Sequence, residues 1–343
     1  MGLRAEYSRS TFFDEDKLLR LATAATARGR RFADQMATFG HEIEFDEAPE
    51  ADDIDWDCSQ AKSALSHVST RQVEAHPDIE DVLPEPSDVF QPKARGITTW
   101  LKDVYNDHKG FELGKLPSSL LSTTMRRQAS RWELLASCYV GDMATMVYRF
   151  VVELIEFTVL GNRKVCDAVK SLCLDSLREK YESAMRHTAF LLEQELQGVP
   201  ATYSKRFEAG LAERRAKRSQ VEAAEKSAQY SDPHSRSNLT EILALSSAVS
   251  SDDRRVQDIQ DISRSYYEVA LDRFVDNMRM QVVDNCLVTG NGSPLTFFSP
   301  AFVAGLTKEQ LEEVAGEDKN MMRRRAELER EMQRLEEGKK TLR

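Results

Sequence analysis

The sequence predicts an all-α fold: an elongated antiparallel helical bundle with an additional C-terminal helix. Three observations predict it. Apolar residues recur every three or four positions over stretches far longer than an ordinary globular helix. Strand signals are scarce. Gly- and Pro-containing turns separate the periodic stretches, so successive helices must fold back on one another.

The elements follow in chain order. Residues 16 to 39, rich in Ala, Leu and Arg, predict a first helix, and Gly96 to Asp107 a short second one. After Pro117 a long pattern runs to about Leu160, in which Trp132, Leu135, Tyr139, Met143, Met146, Phe150, Leu154 and Phe157 share one face. An unbroken helix from Ser118 to Val159 would be about 60 Å long. Gly161-Asn162 ends it, and Val169, Cys173, Leu177, Tyr181, Ala184 and Leu191 mark another long helix that stops near Gly198-Val199-Pro200. A less apolar stretch, 201 to 253, follows. Tyr267, Leu271, Phe274, Met278, Val282 and Cys286 then restore the helical period until Gly290-Asn291-Gly292-Ser293-Pro294. The last helix is expected to start at Thr307, where Thr-Lys-Glu-Gln is a capping-box sequence. Val314, Met321, Leu328 and Leu335 repeat along it every seven residues, while Asp318 and Arg325 interrupt the second seam of a coiled coil. A partial stripe of this kind wants a partner, because an isolated helix is marginal in water.

Charge divides the chain unevenly. The 343 residues carry a net charge of −10, but Glu42 to Asp88 alone holds fifteen acidic residues against Lys62 and Arg71, a net of −13, which leaves the remainder at +3. Five prolines and few clustered apolar residues in 42–95 predict a largely disordered acidic insertion. The domain plan is then 1–41, a first helix of the bundle; 42–95, the insertion; 96–200, bundle helices; 201–253, a less apolar stretch with a basic cluster; and 254–343, a further long helix plus the C-terminal one.

Chemistry is sparse. The phosphate-cradling pattern G-x-x-x-x-G-K-[ST] does not occur: Gly114-Lys115 precedes Leu116, and Gly338-Lys339 precedes Lys340. Six scattered histidines include no H-E-x-x-H, and five cysteines include no C-x-x-C, so neither a zinc site nor a disulfide framework is expected. No catalytic residue, metal ligand or cofactor site is named. No stretch reaches the ~20 apolar residues of a membrane span, and no secretory leader is present, which predicts a cytoplasmic protein, peripheral on membranes if its basic cluster acts there. That cluster comprises Lys205, Arg206, Arg214, Arg215, Lys217 and Arg218, with Phe207 and Leu211 between them. It reads either as a solvated helix face or as a helix lying on an anionic bilayer or a partner. Nucleic acid fits worse, since the chain is acidic and no aromatic platform interleaves the cluster.

Specific motifs add a resemblance. Gly110-Phe111-Glu112-Leu113-Gly114, Arg131-Trp132-Glu133, and Tyr181 through Ala184-Met185 to Phe190-Leu191-Leu192-Glu193 resemble the middle region of dynamin-like large GTPases. Tyr266-Tyr267-Glu268-Val269-Ala270, Arg273-Phe274-Val275-Asp276-Asn277, Gln281-Val282-Val283 and Ser293-Pro294-Leu295 to Phe298-Ser299-Pro300 resemble the GTPase effector domain of that family. So does Leu306 through Gln310-Leu311-Glu312 to Ala315-Gly316-Glu317-Asp318. The resemblance implies a dynamin-type stalk that assembles with itself or with full-length dynamin-like GTPases in membrane remodelling. It implies that Gly110, Glu112 and Gly114 belong to an assembly loop, although typical dynamins carry a basic residue where Glu112 stands. It places the 201–253 stretch at the stalk tip, and likens the last helix to one that packs with two others against the GTPase domain. That domain has no counterpart here, so the chain is expected not to hydrolyse GTP by itself. Two alternatives stay open: one half of a split or truncated GTPase, or a membrane-surface adaptor acting through the basic tip.

Overall fold

In a computed structural model the protein is described at residues 20–45, 67–92, 96–107, 118–159, 162–230, 251–297, 299–316 and 319–341. The described residues are predominantly helical, with a single two-stranded sheet. The fold is all-α. The elements are α1 (Leu21–Phe39), β1 (His67–Ser69), β2 (Asp88–Phe90), α2 (Ile97–Asp107), α3 (Ser118–Gln128), α4 (Trp132–Thr158), α5 (Arg163–Leu196), α6 (Lys205–Tyr230) and α7 (Ser251–Asn277). A π-helix (Met278–Val288) continues α7, and α8 (Pro294–Phe297), α9 (Pro300–Gly305), α10 (Lys308–Ala315) and α11 (Lys319–Thr341) complete the chain.

α4 is the centre. Its predicted stripe is buried from Trp132 to Phe150, but so are Cys138, Val140, Gly141, Ala144, Val147 and Tyr148 on its other faces. A helix covered all round is a core helix, and α1, α5 and the π-helix all pack on it. Leu154 and Phe157, at its far end, are exposed. Trp132 stacks on Phe274 at 4.9 Å between ring centroids, and its Nε1 donates to Tyr267 Oη at 3.1 Å. This joins α4 to α7. Arg273 of α7 makes a two-pronged bond to Glu195 of α5, Nε to Oε1 at 2.7 Å and Nη2 to Oε2 at 2.6 Å.

The unbroken helix expected from Ser118 to Val159 is interrupted at Ala129-Ser130-Arg131. Tertiary bonds take over there. Gln128 Nε2 donates to Ile43 O and its Oε1 accepts from Ile43 N, while Arg131 Nη1 donates to Phe39 O and Phe90 O. Asn162 caps α5 by accepting from Val165 N at 3.3 Å, and Val169, Cys173, Leu177, Tyr181, Ala184 and Leu191 are all buried as their spacing predicts.

The α7 period changes at Met278. Met278, Val282, Val283, Leu287 and Val288 are the buried residues beyond it, a spacing of four to five that suits the wider π winding. Cys286, counted on the apolar face by an α period, is only half-buried. The last helix is divided too. Thr307 and Gln310 form the capping box, Oγ1 accepting from Gln310 N at 3.3 Å and Oε1 from Thr307 N at 2.9 Å, but α10 ends before Gly316 and α11 begins afresh.

The expectation of a largely disordered 42–95 fails for its second half. β1 and β2 pair antiparallel, His67 opposite Phe90 and Ser69 opposite Asp88, and a 3-10 turn covers Glu80–Val82. Ile79, Leu83 and Val89 are buried. The composition argument misses this because these few apolar residues have long helices to pack on: Ile79 and Leu83 lie beside Leu177 and Tyr181. Their polar neighbours are anchored as well: Tyr148 Oη donates to Asp78 Oδ2 at 2.6 Å, and Arg178 Nη2 donates to Asp78 O and to Asp81 Oδ1. Residues 46–66 lie outside the described set.

Candidate functional site

Three groups of residues carry the sequence-based expectations. The assembly loop, Gly110, Glu112 and Gly114, lies outside the described residues. The basic cluster lies on α6, which packs against α7. Arg206 pairs with Asp272 and Arg214 with Glu268, and Arg215 reaches Asp258 at 3.1 Å. Arg218 reaches Asp258 at 3.0 Å and Asp261 at 2.7 Å. Lys217 pairs within α6 to Glu213 at 3.0 Å, and Lys205 is exposed at the start of the helix. Four of the six basic residues therefore face an acidic side of α7 in the same chain. The cause is the pattern Asp258, Asp261, Glu268, Asp272, which repeats at three-, four- and seven-residue intervals and so lies along one face. The arginines hold the Asp258 carboxyl below its usual range against the opposing effect of burial, whereas at Asp261 burial prevails and raises it.

The third group is the C-terminal stripe. Val314, on α10, is half-buried, and α10 packs beside α5, with Lys164 Nζ 3.5 Å from Gly316 O. Met321, Leu328 and Leu335 on α11 are 61, 51 and 69% exposed. Met332, 62% exposed and four residues after Leu328, joins them. It was legible as the residue that fills the interrupted second seam, since the three-and-four alternation passes through 328, 332 and 335. From Asn320 to Lys340 every residue of α11 is exposed.

One buried polar centre has no counterpart in the sequence-based expectations. Asp142 of α4 is fully buried; its Oδ2 accepts from Arg28 Nε at 2.7 Å and from Gln72 N at 2.9 Å, and its Oδ1 from Val73 N at 3.2 Å. Arg28 also donates to Gln35 and lies 5.1 Å from the centroid of the Tyr139 ring. The signal was in the sequence: Asp142 is the lone charge between Glu133 and Arg149. These bonds tie α1 and the β1 segment to α4.

Burial pushes the Cys173 thiol up to about 11 and raises that of Cys138. His41, packed against Phe45 and Tyr267, is pushed down to about 4 by burial and by Arg131 and Arg264. Among the described residues no group of His, Cys, Asp and Glu is placed to hold a metal ion, and no helix is long and apolar enough to cross a membrane. Two surface pockets, one beside Phe45, Met125 and Tyr267 and one beside Ile79, Leu177 and Tyr181, leave no room for a water molecule. What the described surface offers is helix faces, one closed by charge and one open. No family model, no curated protein and no solved structure matches the chain.

Proposed function

We propose that the chain is a dynamin-type stalk and effector module, a non-catalytic helical element that assembles with itself and with full-length dynamin-like GTPases during membrane remodelling. In this reading α4, α5 and α7 with its π continuation are the long members of an elongated antiparallel bundle. Support comes from the stalk and effector motifs in their order along the chain and from the packing of α4 against α5 and of α5 against the π-helix. The observation that carries the assembly reading is α11. Its stripe of Met321, Leu328, Met332 and Leu335 is half or more exposed, and an apolar stripe on a helix gains its stability from a partner.

Sedimentation velocity on the full chain tests it, together with Leu328→Asp/Leu335→Asp. The wild type should sediment as an oligomer and stimulate or inhibit the GTPase rate of a full-length dynamin-like protein. The variant should lose both properties while keeping its helical circular dichroism. A wild-type chain that stays monomeric at every concentration and leaves the GTPase rate unchanged would sink the reading.

A further inference from the structure

The segment after α1, residues 40–45, lies as a strap on the junction of α3 and α7. It leaves α1 at Gly40, where any side chain would collide with Met36 O. Gln128, itself buried, grips it: Glu42 N donates to Gln128 O at 3.2 Å, Ile43 N donates to Gln128 Oε1 at 3.0 Å, and Gln128 Nε2 donates to Ile43 O at 2.9 Å. Glu42 adds an ion pair with Arg127 at 2.8 Å. His41 and Phe45 then pack on Tyr267, with ring centroids 6.2 and 5.7 Å away. Tyr267 is also the acceptor for Trp132 Nε1, so the strap leans on the ring that ties α4 to α7.

The charges that bear on the His41 ring have one sign. Arg131, at the break between α3 and α4, and Arg264 of α7 both oppose a positive imidazole, and burial among Phe45 and Tyr267 opposes it further. The carboxylates of this region pair with arginines instead, Glu268 with Arg264 and Arg214, and Glu42 with Arg127. A protonated His41 would be a third cation in an aromatic setting. Outside the junction, in water, the same imidazole is an ordinary base.

We propose that residues 40–45 are an acid-released strap: protonation drives His41 away from Arg131 and Arg264, and the segment swings from Gly40 off the α3–α7 junction. Release frees Phe45 from Tyr267 and uncovers Leu121, Met125 and the Ser263 hydroxyl, which is buried without a hydrogen-bond partner in the closed form. It also removes the packing from the ring that receives Trp132. The inference needs only this junction and is independent of the stalk reading.

Native-state hydrogen exchange tests it. The Glu42 and Ile43 amides, both bonded to Gln128, report the strap, and the Leu177 and Tyr181 amides of α5 report global unfolding. In low urea the strap amides should be less protected than those of α5 and nearly indifferent to denaturant, the mark of a small opening. The imidazole is held down to about 4 in the closed strap against 6.5 in water. From pH 7 to pH 5 the protection factors of Glu42 and Ile43 should therefore fall about twentyfold, because the open form binds the proton more tightly. His41→Phe keeps a ring on Phe45 and Tyr267 and should hold its strap protection within about twofold over that range. Strap amides that share the urea dependence of α5, or whose protection does not change with pH, overturn the proposal. So does a fall in His41→Phe as large as that of the wild type. The wild type alone decides the first two outcomes should the variant fail to fold.

Discussion

Asp142 shows how one buried carboxylate can hold three parts of the chain. It accepts bonds from Arg28 of α1, from the backbone beyond β1, and lies 3.8 Å from Arg71 Nε. Removing one partner of a buried pair leaves the other charge without compensation, so Asp142→Ala should destabilise the protein by about 3–5 kcal/mol. Urea unfolding followed by circular dichroism measures this, and a loss below about 1 kcal/mol would show that the pair contributes little. His41 gives a prediction with a sign. Its folded-state pKa, about 4, lies below the unfolded value of 6.5, so between these values the unfolded chain binds more protons. Stability contributed by neutral His41 is therefore complete above pH 6.5 and is lost as pH falls toward 4, by roughly 2–3 kcal/mol. His41→Phe keeps a ring beside Phe45 and Tyr267 and should flatten that part of the profile. A variant profile as steep as the wild type's would assign the acid sensitivity to another group.

At the scale of elements, the helical period of α5 was legible because that helix buries one face, and the face is written in residues such as Leu177, Tyr181 and Ala184. The places where the period misleads are those where tertiary bonds replace helical ones. Gln128 and Arg131 open the chain between α3 and α4 because Ile43, Phe39 and Phe90 supply main-chain partners from far along the sequence. No local pattern announces a partner that distant. α11 is the opposite case, an element whose pattern is plain and whose apolar stripe stays exposed. Its exposed stripe predicts a separation of effects: Leu328→Ala should change unfolding stability by less than about 0.5 kcal/mol. The same substitution should weaken oligomerisation in sedimentation velocity. A large loss of folding stability instead would mean that α11 packs on its own chain.

The molecule as a whole turns on whether residues 67–92 are an insertion or a part of the core. Their acidity and prolines argue for a dispensable insertion, as they do for 42–95 as a whole. Burial argues otherwise: Ile79 and Leu83 lie beside Leu177 and Tyr181, and Gly141 of α4 admits Pro84 and Leu83 so closely that a Cβ there would stand 3.3 Å from the proline ring. The segment also caps Asp142 with two backbone N–H groups and accepts the Tyr148 hydroxyl and the Arg178 guanidinium. A composition rule weighs a segment against itself, whereas here the apolar surface that orders it belongs to α4 and α5. The two readings make opposite predictions for a chain in which 67–92 is replaced by a short Gly/Ser linker. A dispensable insertion could be removed with stability intact. A core segment cannot, because its loss strips main-chain donors from a buried carboxylate and exposes the Leu177 and Tyr181 face. Deletion should therefore cost at least about 4 kcal/mol and lower the urea m-value, since less surface remains to be uncovered on unfolding. A deleted chain that unfolds at the wild-type midpoint would return 67–92 to the status of an insertion.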